Sequence, residues 1–162
     1  MKALLTIPLL YAALFAHAQI EVLKMKAGNG KIIVKAELNG KKDFFLIDTG
    51  SDVSIINNNE LKKHDLEAKK IYRGGQAVGF DGSKQQLERV ANASLIIGES
   101  LYYDEFYSMD ISTLVDRIEE KTGIEVTGIL GADVLKSFNC MIDYQNREIA
   151  FSSNKSRHLA TR

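Results

Sequence analysis

The chain has 162 residues, a length that fits one domain, and is 45% hydrophobic and 26% charged, an ordinary globular composition. Its 21 basic and 21 acidic residues cancel. No basic surplus therefore points to nucleic acid, and no acidic tail points to a basic partner.

Residues 1–18 read differently from the rest. Lys2 supplies a positive start, Ala3 to Phe15 is apolar apart from Thr6 and Pro8, and Ala16-His17-Ala18 is a small-x-small cleavage pattern. This predicts a secretory signal peptide cut before Gln19, and a secreted or periplasmic protein. The apolar run of about 13 residues falls short of the roughly 20 needed to span a bilayer. No later run is long enough either, so no stable membrane insertion is expected after cleavage. Only Cys140 remains to the mature chain, which rules out an internal disulfide, and its apolar surroundings predict a buried, inert thiol.

The mature chain opens with strand-like alternation over Ile20–Ala27 and Lys31–Leu38. Gly28-Asn29-Gly30 and Asn39-Gly40 mark the turns, because these residues tolerate positive φ. Phe44-Phe45-Leu46-Ile47 is an uninterrupted apolar strand of the fully buried kind. Together these predict an antiparallel meander. Val53–Ile56 is a further short apolar segment. Asn57-Asn58-Asn59 then offers a cap for a short helix around Glu60–His64. Strands follow over Glu67–Tyr72 and Gln86–Ile97, with the glycine-rich stretch Gly74–Ser83 between them. Leu101–Met109 is aromatic-rich and strand-like.

Ile111, Leu114, Val115 and Ile118 recur at helical spacing, with Asp110 placed to cap the start and Gly123 to end the helix. Thr127–Gly131 reads as a strand, Ala132–Ser137 as a short helix, and Cys140–Tyr144 with Glu148–Phe151 as a last hairpin. The expected domain covers residues 19–152, and residues 153–162 form a polar tail. The picture is a mainly β domain with one or two short helices.

One acid stands out. Asp48 follows the buried run Phe44–Ile47 and opens Asp48-Thr49-Gly50-Ser51. Burying a carboxylate is costly without partners, so its place at the end of a core strand demands a reason. A plain turn is the competing reading, since all four residues are turn formers. About 80 residues on, Ile129-Leu130-Gly131 pairs two apolar residues with a glycine and leads into a short helix.

In this order, and with a glycine-rich hairpin between them, the two motifs resemble the retropepsin-like aspartic proteases. In that family the catalytic strand reads apolar-apolar-Asp-Thr-Gly-Ala/Ser, and a later apolar-apolar-Gly precedes a helix. The resemblance spans residues 30–151. It implies a single-lobe, closed β-barrel-like acid-protease fold and an aspartic endopeptidase that acts on polypeptides. It also implies a homodimer, because one lobe carries one Asp48.

By the same resemblance, Asp48 is the catalytic acid and Thr49 braces the dimer axis. Gly50 permits close backbone approach, and Ser51 donates to the outer oxygen of Asp48. Gly79, Phe80, Asp81 and Gly82 belong to a flap that covers the substrate. Asp52 either orients substrate backbone or supports the dimer, or else is a surface turn acid. No cofactor is implied. No metal site is expected, because His64 and His158 are far apart in sequence and no His/Cys cluster exists.

Three other chemistries lack their motifs. A Cys140–His pair has no supporting signature. The glycines at 74–82 lack the Gly-Lys-Ser/Thr ending of a phosphate loop. Tyr102, Tyr103, Phe106 and Tyr107 are aromatics of the kind that pack cores.

The sequence also departs from the viral members. The helix at 111–123 is longer, Ala132-Asp133 stands where Arg-Asn or Arg-Asp is frequent, and the residues after Phe151 are polar. These departures sustain a second expectation, a non-catalytic monomeric peptide-binding or structural domain of the same fold.

Overall fold

The structure is a computed structural model that describes residues 19–153 except 29, 73–74, 79–81, 83 and 103–104. The expected signal peptide and most of the polar tail lie outside the described residues.

Fifteen short strands and two α-helices make up the described chain. The first four strands are β1 (Gln19–Lys24), β2 (Lys26–Gly28), β3 (Lys31–Leu38) and β4 (Lys41–Ile47). β2, β3 and β4 form the expected antiparallel meander. At the β3–β4 turn Asn39 and Gly40 both take positive φ (47° and 80°), the primed-turn geometry that matches strand twist.

β5 (Ile55–Asn57) is followed by a 3₁₀ turn over Asn58–Glu60. The helix expected at Glu60–His64 is thus only this short turn and its continuation, and the Asn57 side chain does not cap it. Instead, Asn57 Oδ1 accepts the Ile111 N–H across the domain.

Then come β6 (Glu67–Lys70), β7 (Gln76–Val78), β8 (Lys84–Gln86), β9 (Glu88–Ala91) and β10 (Leu95–Ile97). The long alternating run at 86–97 is therefore divided, and Asn92 at φ 58° turns the chain between β9 and β10. β11 (Ser100–Tyr102) and β12 (Phe106–Met109) lead into α1 (Ser112–Thr122). Asp110 accepts the Ser112 N–H at the start of α1, and Gly123 at φ 68° closes the helix by donating to the Glu119 carbonyl. The described chain ends with β13 (Gly128–Leu130), α2 (Ala132–Ser137), β14 (Met141–Asp143) and β15 (Glu148–Ser153).

Ten strands belong to one sheet. Its hydrogen-bonded order runs β11-β10-β3-β4-β13-β5-β12-β9-β6, with β2 added on β3. Most neighbours are antiparallel, but β13 runs parallel to β4 and β12 parallel to β5. The fold class is mainly β with two short helices, as expected. The described ladders form a path with two ends, and the closure of a barrel is not among them. β1, β15 and β14 make a separate three-stranded sheet, and β7 with β8 a two-stranded hairpin. β15 reaches Ser153, so the first residue expected in the polar tail belongs to a strand.

The central strands are buried on both faces, which explains their unbroken apolar runs. Val34, Phe45, Ile47, Ile56 and Leu130 face one core, which they share with Phe106, Phe138 and Phe151. Ile33, Leu46, Ile55 and Ile129 face a second core, roofed by Ile111, Val115 and Ile118 of the α1 region. Successive residues of β4 alternate between the two cores, so the strand is clamped from both sides up to its last residue. Asp48 is the next residue.

Candidate active site

The loop at 48–54 is built against the end of β13. The Asp48 N–H donates to the Leu130 carbonyl (3.1 Å), the Ser51 N–H to the Asp48 carbonyl (3.2 Å), and the Ala132 N–H to the Ser51 carbonyl (2.8 Å). The backbone on both sides of the acid is thereby tied to the two parallel strands β4 and β13.

Close approach is what makes these ties possible. A Cβ at Gly131 would lie 2.5 Å from the Val53 carbonyl oxygen and 2.8 Å from that of Ser51. Gly131 has φ −94°, an ordinary value, so glycine is required there for space. Gly128 is hemmed in likewise by the Ile55 carbonyl. The apolar-apolar-Gly motif thus has a steric origin: its glycine lets the loop that carries Asp48 lie flat on the strand end.

A second aspartate locks this arrangement. Asp133 Oδ2 accepts the Ser54 N–H (2.7 Å), and Asp133 Oδ1 accepts the Ser54 hydroxyl (2.6 Å) and the Val134 N–H (2.7 Å). The Ser54 hydroxyl oxygen in turn accepts the Gly131 N–H (2.9 Å). Ser54 is fully buried, so each of these groups needs its partner. In the sequence Asp133 stands out only by the arginine missing beside it. The available signal was an acid one residue into a helix that follows the glycine motif.

The Asp48 carboxylate is left largely free. It is half-buried, and among the described residues Oδ1 accepts one hydrogen bond, from the Gly50 N–H at 2.9 Å. A Cβ at Gly50 would sit 3.2 Å from this same oxygen and crowd it. Thr49, Gly50 and Asp52 are exposed. One expected contact differs. The Ser51 hydroxyl donates to the Val53 carbonyl (2.7 Å) and not to Asp48. A backbone oxygen two residues on takes the single hydroxyl proton.

The expected flap coincides with the β7–β8 hairpin. Gln76 pairs with Gln86 and Val78 with Lys84. Its base is held by the Leu87 N–H on the Gly75 carbonyl and by Gln86 Nε2 on the Ile71 carbonyl. Gly82 is exposed at φ 80°, while Gly79, Phe80 and Asp81 lie outside the described residues. Cys140 is half-buried, and burial pushes its thiol up to about 11, in keeping with an inert cysteine.

Sequence spacing did not bring forward a third group. Asp43 at the start of β4, Glu60 in the 3₁₀ turn and the fully buried His64 meet, their ligand-type atoms all within 4.8 Å of one another. Glu60 and His64 stand at i,i+4 on one face of a turn, which the sequence displays. Asp43 joins them only through the fold.

No family model and no curated protein sequence matches the chain. Solved structures do. A retropepsin-like aspartic protease from Rickettsia conorii aligns with a TM-score of 0.51 at 14% identity, covering 84% of this chain and 93% of that one. EIAV protease in complex with an inhibitor aligns with a TM-score of 0.51 at 16% identity, covering 71% of this chain and 94% of that one. At such identities the likeness is one of architecture: the chain has the retropepsin-like fold.

Proposed function

We propose that this protein is an aspartic-type endopeptidase, and that its active centre forms when two copies bring their Asp48 carboxylates together. The observation that carries this reading is the contrast between a rigid backbone and a free side chain. Asp48 is fixed by Leu130, Gly131 and the Ser54–Asp133 lock, yet its carboxylate is only half-buried and holds one described hydrogen bond. An acid placed so firmly and used so little is available for chemistry.

The chemistry needs two such acids. Two carboxylates a few Å apart cannot both ionise, so the pair keeps one proton. The ionised Asp48 takes a proton from a water molecule while the protonated Asp48 donates to the peptide carbonyl oxygen. The water oxygen bonds to the carbonyl carbon, giving a tetrahedral diol. The dyad then returns a proton to the leaving nitrogen as the C–N bond breaks. No metal or cofactor enters these steps. The β7–β8 hairpin would close over an extended polypeptide, and export through residues 1–18 would deliver the enzyme to the periplasm or beyond.

A specific observation favours the second reading, a monomeric peptide-binding domain. β15 is paired on both edges within its own chain, to β1 on one side and β14 on the other. A partner strand cannot add to β15 without displacing one of them. A dimer would therefore use the outer edges of β1 or β14, or the outer face where Ile20, Val22, Met141 and Tyr144 are exposed.

Sizing of the mature protein between pH 4 and 7, combined with cleavage of an unstructured polypeptide, separates the readings. Pepstatin-sensitive cleavage that Asp48→Asn abolishes is the expected outcome. A strict monomer with no cleavage would sink the protease reading. N-terminal sequencing of exported protein, with Gln19 expected first, tests the leader.

A further inference from the structure

At the opposite end of β4 from Asp48, about 16 Å along the strand, lies the group Asp43, Glu60 and His64. The His64 ring is fully buried. Its Nδ1 lies 3.1 Å from the Leu38 carbonyl oxygen. A carbonyl only accepts, so that contact is a hydrogen bond when Nδ1 carries the proton. In the neutral ring Nε2 then bears a lone pair. Among the described residues that atom has no hydrogen-bond partner, yet it points at the buried Asp43 Oδ2, 3.0 Å away, whose other neighbour is the Lys63 ammonium. Glu60 Oε2 lies 4.0 Å from the same nitrogen. One nitrogen and two carboxylate oxygens thus converge from two segments, the start of β4 and the 58–65 turn, and their lone pairs face one another.

Such a cluster calls for a cation. The Lys63 ammonium partly answers, at 2.9 Å from both Asp43 Oδ2 and Glu60 Oε2. Among the described residues no hydrogen bond joins it to Nε2, and it reaches in from a side chain that is half in solvent.

We propose that Asp43, Glu60 and His64 form a binding site for a divalent cation of the zinc type, from which Lys63 swings out to solvent on loading. The donor set is the reason for that class. A neutral imidazole nitrogen with two carboxylates suits zinc, whereas calcium and magnesium prefer all-oxygen sites. Tetrahedral zinc with bonds of about 2.0–2.1 Å sets its ligand atoms roughly 3.3 Å apart, between the 3.0 and 4.0 Å observed here. Two positive charges also balance the two carboxylates. The His64 Nδ1 contact to Leu38 is the outer support that orients a metal-bound imidazole. The ion would join the start of β4 to the 58–65 turn. Through the contact of Thr127 Oγ1 with Glu60 Oε2 (3.5 Å) it would also steady the residue before β13. Its role is structural and separate from peptide hydrolysis.

The test titrates the tag-free, chelator-treated protein with Zn²⁺ by calorimetry, alongside thermal melting. One Zn²⁺ per chain and a raised melting temperature are expected. Lys63→Met should bind about tenfold more tightly and Glu60→Gln at least about tenfold more weakly. His64→Gln alters a buried residue and can fail to fold. Glu60→Gln keeps shape at a partly exposed position, and its circular dichroism checks the fold. Co²⁺ supplies a second probe, with a tetrahedral visible spectrum that Glu60→Gln abolishes. Binding by Lys63→Met alone would still support the site, with Lys63 as the competitor. No binding by wild type or Lys63→Met at about millimolar Zn²⁺, or equal affinity in folded Glu60→Gln, would overturn it: the first would leave a closed ion-pair network, the second an adventitious surface site.

Discussion

Asp48 and Asp133 follow two neighbouring parallel strands, β4 and β13, and have opposite fates. Asp133 accepts three hydrogen bonds, two from Ser54 and one from Val134, and its carboxylate is used up in architecture. Asp48 accepts one, from Gly50, and its backbone bears the load instead. The difference lies in what surrounds each strand end. β13 is followed by Gly131 and a helix, so the next acid turns inward against the loop. β4 ends in a loop with exposed Thr49 and Gly50, so its acid stays within reach of solvent. One aspartate builds the platform on which the other is presented.

The sharpest way to break this contrast is Asp48→Asn. An amide cannot accept the proton from water, so peptide cleavage should fall by about 10³-fold or more. Folding stability should change by no more than about 0.5 kcal/mol, because a part-exposed side chain with one hydrogen bond is altered. Cleavage assays and urea denaturation on the same preparation measure both. A variant that is inactive because it is unfolded would cancel the contrast.

Asp133→Ala should do the reverse. It strands the buried Ser54 N–H and hydroxyl, at a cost of about 2–5 kcal/mol in unfolding free energy. Activity should fall only as far as the loop loosens. Gly131→Ala attacks the same lock through space, since the added methyl meets the carbonyl oxygens of Val53 and Ser51. Overpacking of this kind costs about 1–3 kcal/mol, again read by urea denaturation. If Gly131→Ala proved neutral, the loop would not be seated against β13 as described.

Much of this was legible in the sequence where local chemistry decides. β3 and α2 have the expected bounds, because alternation over Lys31–Leu38 and the glycine before Ala132–Ser137 are strong local signals. Asn39-Gly40 forms the expected turn because both residues accept positive φ. Asp48 at the end of a doubly buried strand could be read from four apolar residues in a row.

What stayed hidden depends on distant segments meeting. The parallel pairing of β4 with β13 joins residues some 80 positions apart, and no local pattern encodes it. The role of Asp133 appears only when the fold brings Ser54, 79 positions away, beside it. The helix expected at Glu60–His64 shrinks to a 3₁₀ turn, where His64 is drawn inward to Leu38 and Asp43. The resemblance pairs Ser51 with Asp48, whereas its hydroxyl donates to the Val53 carbonyl within the loop.

Ser51 supplies the smallest effect and a test of that last point. Its hydroxyl bridges to the Val53 carbonyl within the loop, so Ser51→Ala should cost one part-buried hydrogen bond, about 0.5–1.5 kcal/mol. The pH dependence of cleavage is the more telling measurement. A hydroxyl that donated to Asp48 would stabilise its ionised form, and removing it would raise the acidic limb of the profile. With the proton committed to Val53, the Ser51→Ala limb should coincide with that of the wild type. A clear upward shift would mean that the hydroxyl turns to the acid in the working enzyme, and Asp48 would then be less free than its single bond to Gly50 implies.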